Sequence, residues 1–219
     1  MEHIKDNLAA AKSQWEKGNH KAAKHYYDLV LESDPENPEA ELYAEYYDLL
    51  FGDDETVYAK YMRFSDVIEK ITIAAQLYYK TEAEQEAILS SLADILNDLR
   101  WKIYYRFYNR ASKTHSKEDA EMSETANRVS VLNFYYFGNI VEIAYGANES
   151  IVKKIAVKAW KAGINAQRQW VAVPCDKNDV VEAAEKIRKY EPDYVLPKEN
   201  IMRKYIGLFL KFLAKRQQK

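Results

Sequence analysis

The chain has 219 residues, of which 47% are hydrophobic and 30% are charged, so it can bury a sizeable core and is neither disordered nor fibrous. Its six glycines and five prolines are too few for the frequent turns of a β-sandwich or barrel, which favours helices. The 32 basic and 34 acidic side chains nearly balance, but residues 1–148 carry a net charge of −10 (16 basic, 26 acidic) and residues 149–219 a net charge of +8 (16 basic, 8 acidic). We expect the two parts to attract each other, with an acidic partner for the basic part as the alternative.

The N-terminal part predicts short amphipathic helices. Apolar residues recur at helical spacing within residues 1–17, and again in a second helix after the interruption at Gly18. Asn37 is expected to cap a third helix with Pro38 at its first position, where the missing N–H costs nothing. This third helix is expected to end at about Phe51.

Gly18 and Gly52 lie 34 residues apart, each between two predicted helices, and this period is that of tetratricopeptide repeats. The first unit resembles such a repeat at eight positions, namely Gly18, Ala23, Tyr27, Leu31, Asp34, Pro35, Asn37 and Ala40. The second unit departs from the family pattern, with Val57 at the small-alanine position and Glu69 at the closing proline. The resemblance covers about residues 4–65. It implies stacked helical hairpins that capture a peptide or protein segment.

The remainder of the chain predicts longer helices. A fourth helix is expected from a cap at Asp53 or Asp54 to about Tyr79, with a bend near Ser65, and Thr81 begins a capping box for the fifth. Further helices are predicted at about 82–112, 117–145 and 149–170, then a short helix opened by Asn178 and closed at Glu191, and a last one at about 198–216.

The fold class predicted from these elements is all-α, with tetratricopeptide-like helical hairpins continuing into a bundle or superhelix of longer antiparallel helices. Residues 1–53 form the predicted hairpin region, and residues 54–219 form a helical bundle packed on it. One continuous domain is the alternative. The only strand candidate, 171–173, is too short to seed a sheet.

No motif in the sequence indicates catalysis, so we predict no catalytic residue, no metal and no cofactor. The four histidines lack metal-ligand spacing, there is no glycine-rich phosphate loop, and the lone Cys175 has no histidine nearby in sequence. Without a signal peptide or a stretch apolar enough to span a membrane, a cytoplasmic protein is expected. An enzyme whose site is assembled only in the tertiary structure is a further alternative.

The resemblance to tetratricopeptide repeats makes a protein or peptide the expected partner. The candidate binding residues are Tyr43, Tyr46 and Tyr47 on the third helix, with Asn7 and Lys12 on the first. Five Tyr-Tyr pairs run along the chain. Since neighbouring side chains on a helix point about 100° apart, each pair is expected to place one ring in the core and the other at its edge.

Basic and aromatic side chains on two later helices suggest a second interpretation, the binding of single-stranded RNA or DNA. Arginines that neutralise phosphates beside rings that stack on bases are typical of such binders. The candidate residues are Arg100, Trp101, Arg106 and Arg110 on the fifth helix, and Lys154, Lys158 and Lys161 on the seventh. The structural alternative is that the fifth helix, apolar on two sides, lies between neighbouring helices.

Overall fold

A computed structural model describes residues 2–169 and 176–198. Every regular element in these ranges is helical, which confirms the all-α class. The predicted last helix lies almost wholly outside the described residues, as do Cys175 and the strand candidate at 171–173. The elements are α1 (Glu2–Glu16), α2 (His20–Ser33), α3 (Pro38–Phe51), α4 (Asp54–Met62), α5 (Phe64–Tyr78), α6 (Glu82–Thr114), α7 (Lys117–Tyr145), α8 (Glu149–Ile151), a π-helical turn (Val152–Ala156), α9 (Val157–Gln169) and α10 (Lys177–Tyr190).

Side-chain caps set most helix starts, as the sequence predicts. The side chain of Asn37 accepts a hydrogen bond from the amide of Ala40 at 3.0 Å, and Pro38 is the first residue of α3. Thr81 and Glu84 form a reciprocal capping box at α6. The hydroxyl of Ser116 accepts from the third amide of α7. These helix starts are therefore determined locally.

Two predicted boundaries are wrong. The predicted fourth helix is two helices, because the amide of Arg63 bonds to the carbonyl of Lys60 at 3.1 Å and interrupts the helical ladder between α4 and α5. The interruption lies at Arg63, with Phe64 fully buried at the start of α5. The last described helix is capped by Asp176 and not by Asn178, since the Asp176 carboxylate accepts from the Asn178 amide at 3.0 Å.

Gly18 and Gly52 lie in corresponding turns, α1–α2 and α3–α4, but with different backbones. Gly18 has φ of +77°, the left-handed region that favours glycine, whereas Gly52 has φ of −66° and is extended. Positions 34 residues apart are nevertheless buried alike. Ala23 and Tyr27 on α2, and their counterparts Val57 and Tyr61 on α4, are all buried.

The buried residues form one main core and a smaller one. The main core is formed by residues of all the elements from α3 through α10, including the π-helical turn. The smaller core lies within α1, α2 and the start of α3. Trp15 and Tyr43 pack against both. The first hairpin, α1 with α2, is thus a separate layer attached to the rest through aromatic side chains. Its small core is Ala11, Ala23, Tyr27, Val30 and Ala40.

Two ion pairs connect the acidic part of the chain with its basic part. Lys154 Nζ lies 2.6 Å from a carboxylate oxygen of Glu86 on α6, and Lys189 Nζ lies 3.6 Å from Glu142 on α7. These contacts agree with the expectation that the two parts attract each other. No helix in the described part of the chain is long and apolar enough to cross a bilayer.

Candidate functional site

An open pocket of about 430 Å³ lies where the first hairpin meets α3 and the N-terminal part of α6. Its walls combine four aromatic rings with four charged side chains, and the other three lining residues belong to α6. A pocket that mixes rings and polar groups in this way has the composition of a binding site. The lining residues are Lys12, Trp15, Glu16, Tyr27, Glu39, Tyr43, Tyr79, Glu84, Ala87, Ile88 and Ser91.

Three of the rings pack against each other and so have defined positions. Tyr27 and Tyr43 are stacked, with ring centroids 5.1 Å apart and planes only 7° from parallel. Trp15 meets Tyr43 edge to face, also at 5.1 Å. Burial raises the pKa of Tyr43, and a hydrogen bond with Ser91 partly offsets that effect. The rings therefore form a rigid wall of neutral groups.

The hydroxyl of Tyr27 is buried and has no hydrogen-bond partner among the residues that the structure describes. The side chain of Tyr27, which belongs to α2, has no solvent-exposed surface, although it is one of the residues that line the pocket. Burial, reinforced by the charge of Glu39, raises the pKa of Tyr27, so the phenol stays protonated. A buried polar group without a partner costs about 1–3 kcal/mol.

Carboxylates outnumber ammonium groups around the pocket by three to one. Lys12 Nζ lies 2.9 Å from Glu39, and Glu84 is held by Thr81 in the capping box. Glu16 makes no ion pair with any described residue and is exposed at the rim. The pocket therefore keeps a net negative charge of −2 after Lys12 is counted.

The structure brings together two of the five predicted partner-binding residues. Lys12 and Tyr43 line the pocket, whereas Tyr46 is nearly buried and donates its hydroxyl hydrogen to Asp98. Tyr47 faces a different, more open pocket of about 800 Å³, and Asn7 lines neither.

Sequence reasoning missed most of the other pocket residues. Trp15 has the spacing of a core residue on α1, and Glu84 is explained by its capping box. Tyr27 belongs to the repeat-like pattern, which identifies it as a packing residue. The only feature of the sequence that could have indicated these pocket residues is the high density of tyrosines in residues 26–79. That density does not distinguish a packed ring from one that lines a pocket.

The arginines predicted to bind nucleic acid make contacts within the protein. Arg106 Nε donates to Asp54 at 2.6 Å, and Arg110 pairs with Asp54 at 3.3 Å and with Asp119 at 2.8 Å. Arg100 is only 6% exposed, and burial lowers its pKa. These contacts agree with the structural alternative for α6.

The other residues predicted to bind nucleic acid lie on two separate surfaces. Trp101 stacks on the half-exposed Tyr105 of α6 at 6.0 Å. Lys154 in the π-helical turn pairs with Glu86, and on α9 Lys161 pairs with Glu191 while Lys158 is exposed. Binding of nucleic acid stays a prediction.

Comparisons with protein-family models, with curated proteins and with solved structures find no match for this chain. Within residues 2–169 and 176–198, no group of three or more histidine, cysteine or carboxylate side chains is placed to hold a metal ion. Function is therefore inferred from the geometry of the pocket.

Proposed function

We propose that this protein is a non-enzymatic interaction module that binds a peptide or protein segment in the pocket between its tetratricopeptide-like first hairpin and α6. The observation that carries the proposal is the set of packed rings of Trp15, Tyr27 and Tyr43 that lines the pocket. Aromatic side chains provide large contact areas at a low cost in conformational entropy, and they are enriched in protein interfaces.

The charged groups of the pocket favour binding over catalysis. Two of the three carboxylates are engaged, since Glu39 pairs with Lys12 and Glu84 bonds to Thr81. The phenols have raised pKa values, so they stay protonated at neutral pH and no phenolate is present to act as a base. Glu39 and Glu84 therefore have structural partners, as expected for a pocket that orients a ligand.

The pocket suits a chain segment because it is open and bounded by separate helices. Ala87 and Ser91 on α6 present small side chains opposite the rings, which leaves room for an extended peptide to enter. The four helices α1, α2, α3 and α6 each contribute to its walls, so a segment lying there would contact both the first hairpin and the main body.

The test is selection from a displayed random-peptide library by the purified full-length chain. Ala87→Trp would fill the pocket with an indole from an exposed helix position, and Ala120→Trp makes the same change at an exposed position of α7 away from the pocket. We expect the wild-type and Ala120→Trp proteins to enrich a common set of peptides that Ala87→Trp does not bind. Enrichment of the same peptides by all three would show that binding occurs elsewhere.

A further inference from the structure

We propose that the pocket takes the guanidinium group of an arginine side chain from the bound segment, a claim that rests on the proposed function and specifies its ligand. Three features of the pocket support this proposal: the excess of carboxylates, the packed aromatic rings and the buried Tyr27 hydroxyl, which has no partner among the described residues. Each favours a cation that also donates several hydrogen bonds.

The electrostatic argument starts from the charges that surround the pocket. Glu16 lies at the rim without an ion pair in the described chain, and Asp94 on α6 is close enough to act on Tyr43 and is likewise exposed. Among the described residues, Lys12 is the only cation that lines the pocket, and Glu39 already neutralises it. The Glu16 carboxylate would attract a cationic ligand and repel an anionic one.

The hydroxyl of Tyr27 can take a partner from the pocket. The side chain is fully buried, no described residue forms a hydrogen bond with its hydroxyl, and Tyr27 is one of the residues that line the pocket. Its oxygen can accept a hydrogen bond from an N–H group of a ligand. Binding such a group would remove the cost of the unpartnered oxygen, which adds to the affinity.

The geometry selects arginine over lysine. A guanidinium is planar, stacks on aromatic faces and presents five N–H donors in a fixed arrangement, whereas an ammonium is a compact, strongly hydrated charge. The pocket is lined by the rings of Trp15 and Tyr43, and its acceptors Glu16 and Tyr27 lie on different helices. Separate acceptors beside flat rings match the shape of the guanidinium.

The inference is tested on the peptides that the library selection recovers. We expect arginine to be enriched at one position of these peptides. In synthetic versions, replacing this arginine by citrulline, which keeps the shape and removes the charge, should weaken binding about tenfold or more, and lysine should bind less tightly than arginine. Affinities are measured by isothermal titration calorimetry with the full-length protein.

Two variants locate the arginine in the pocket. Glu16→Gln should weaken the arginine peptide by about threefold to tenfold and should leave the citrulline peptide nearly unchanged, because citrulline has no charge to pair with Glu16. Tyr27→Phe should weaken both peptides by about threefold to tenfold, because citrulline keeps the N–H donors of arginine. Glu32→Gln, an exposed carboxylate on α2 that does not line the pocket, is the matched control. Far-ultraviolet circular dichroism verifies that each variant is folded, and Tyr27→Phe removes no hydrogen bond from the fold.

The possible failures separate the two proposals. If no peptide is enriched by the wild-type protein over Ala87→Trp, both proposals are wrong. If peptides are enriched without arginine, or if citrulline or lysine binds as tightly, the arginine inference is overturned and the interaction module stands. Equal effects of Glu16→Gln and Glu32→Gln, with no effect of Tyr27→Phe, would place the arginine outside this pocket and would also overturn the inference.

Discussion

Tyr27 on α2 and Tyr61 on α4 lie 34 residues apart in the two repeat-like units, and both rings are buried. Their hydroxyls differ. That of Tyr61 lies 2.7 Å from Ser130 Oγ on α7, whereas that of Tyr27 has no partner within residues 2–169 and 176–198. The second unit is covered by α7 and belongs to the main core, but the first unit is the end layer of the stack.

This difference shows how one residue pattern serves two purposes. Where another helix covers the unit, the tyrosine completes a core. Where the stack ends, the same tyrosine lies beside open space, and the pocket forms there. The first hairpin is therefore the region in which we place binding, and the second unit is the region in which we expect stability to depend most on each side chain.

The largest effect expected from this comparison is the decrease in stability when a core leucine of the second unit is replaced by alanine. Leu49→Ala should lower the free energy of unfolding by about 3 kcal/mol, because Leu49 is almost fully buried in the main core. Leu31→Ala, at a half-buried position of the smaller core, should cost about 1 kcal/mol. Urea denaturation followed by circular dichroism measures both. Equal losses would mean that the two units are packed alike.

Alkaline pH should destabilise the protein through buried tyrosines of the second unit. Burial raises the pKa of Tyr61 from 10.0 to about 12, so its stabilising effect is complete below pH 10 and is lost as the pH rises through 12. We expect wild-type stability to fall more steeply between pH 10 and 12 than that of Tyr61→Phe. Parallel curves from urea denaturation would contradict this assignment.

The α3–α4 turn depends on a distant arginine, unlike the α1–α2 turn. Arg106 on α6 donates to the Gly52 carbonyl and to the Asp54 carboxylate, both at 2.6 Å. Arg106→Met keeps the aliphatic stem and removes these bonds, so the free energy of unfolding should fall by about 2 kcal/mol. Lys102→Met, which removes an exposed pair with Asp98, should have a much smaller effect. Similar losses from the two changes in thermal melts would rule out a special role for Arg106.

The smallest and most specific prediction concerns the two equivalent tyrosines. Tyr61→Phe should destabilise the protein by about 1 kcal/mol, since it removes a buried hydrogen bond. Tyr27→Phe should stabilise it by about 1 kcal/mol, since it removes a buried oxygen without a partner. Denaturation of the two variants in parallel checks the opposite signs. A loss of stability in Tyr27→Phe would show that its hydroxyl has a structural role.

Much of the fold was predictable because the signals are local. Asn37, Thr81 and Ser116 cap their helices through amides only a few residues away, so their role is visible in the sequence. A bend was predicted near Ser65, but the division into two helices at Arg63 was not, since the apolar spacing continues across it. The pairing of Arg106 with Asp54 joins residues 52 positions apart, and charge patterns in a sequence do not identify such partners.

The candidate site was predictable only in part for the same reason. Lys12 and Tyr43 were recognised because the family resemblance places a binding face on the first and third helices. Trp15, Tyr27 and Glu16 were missed because their spacing equally suits packing or solvent exposure. Whether a ring completes a core or lines a pocket depends on what lies against it, which the local pattern does not contain.

The amino-acid sequence by itself determined the all-α class, most helix starts and the repeat-like spacing of the first two units, because apolar periodicity and capping act over a few residues. Only the tertiary structure decided that α7 covers Tyr61 while the side of the first hairpin stays open. The partner of a hydroxyl or a carboxylate depends on which distant helices pack together. Because no described helix covers this side of the first hairpin, Tyr27 has no partner among the described residues and a pocket lies beside it.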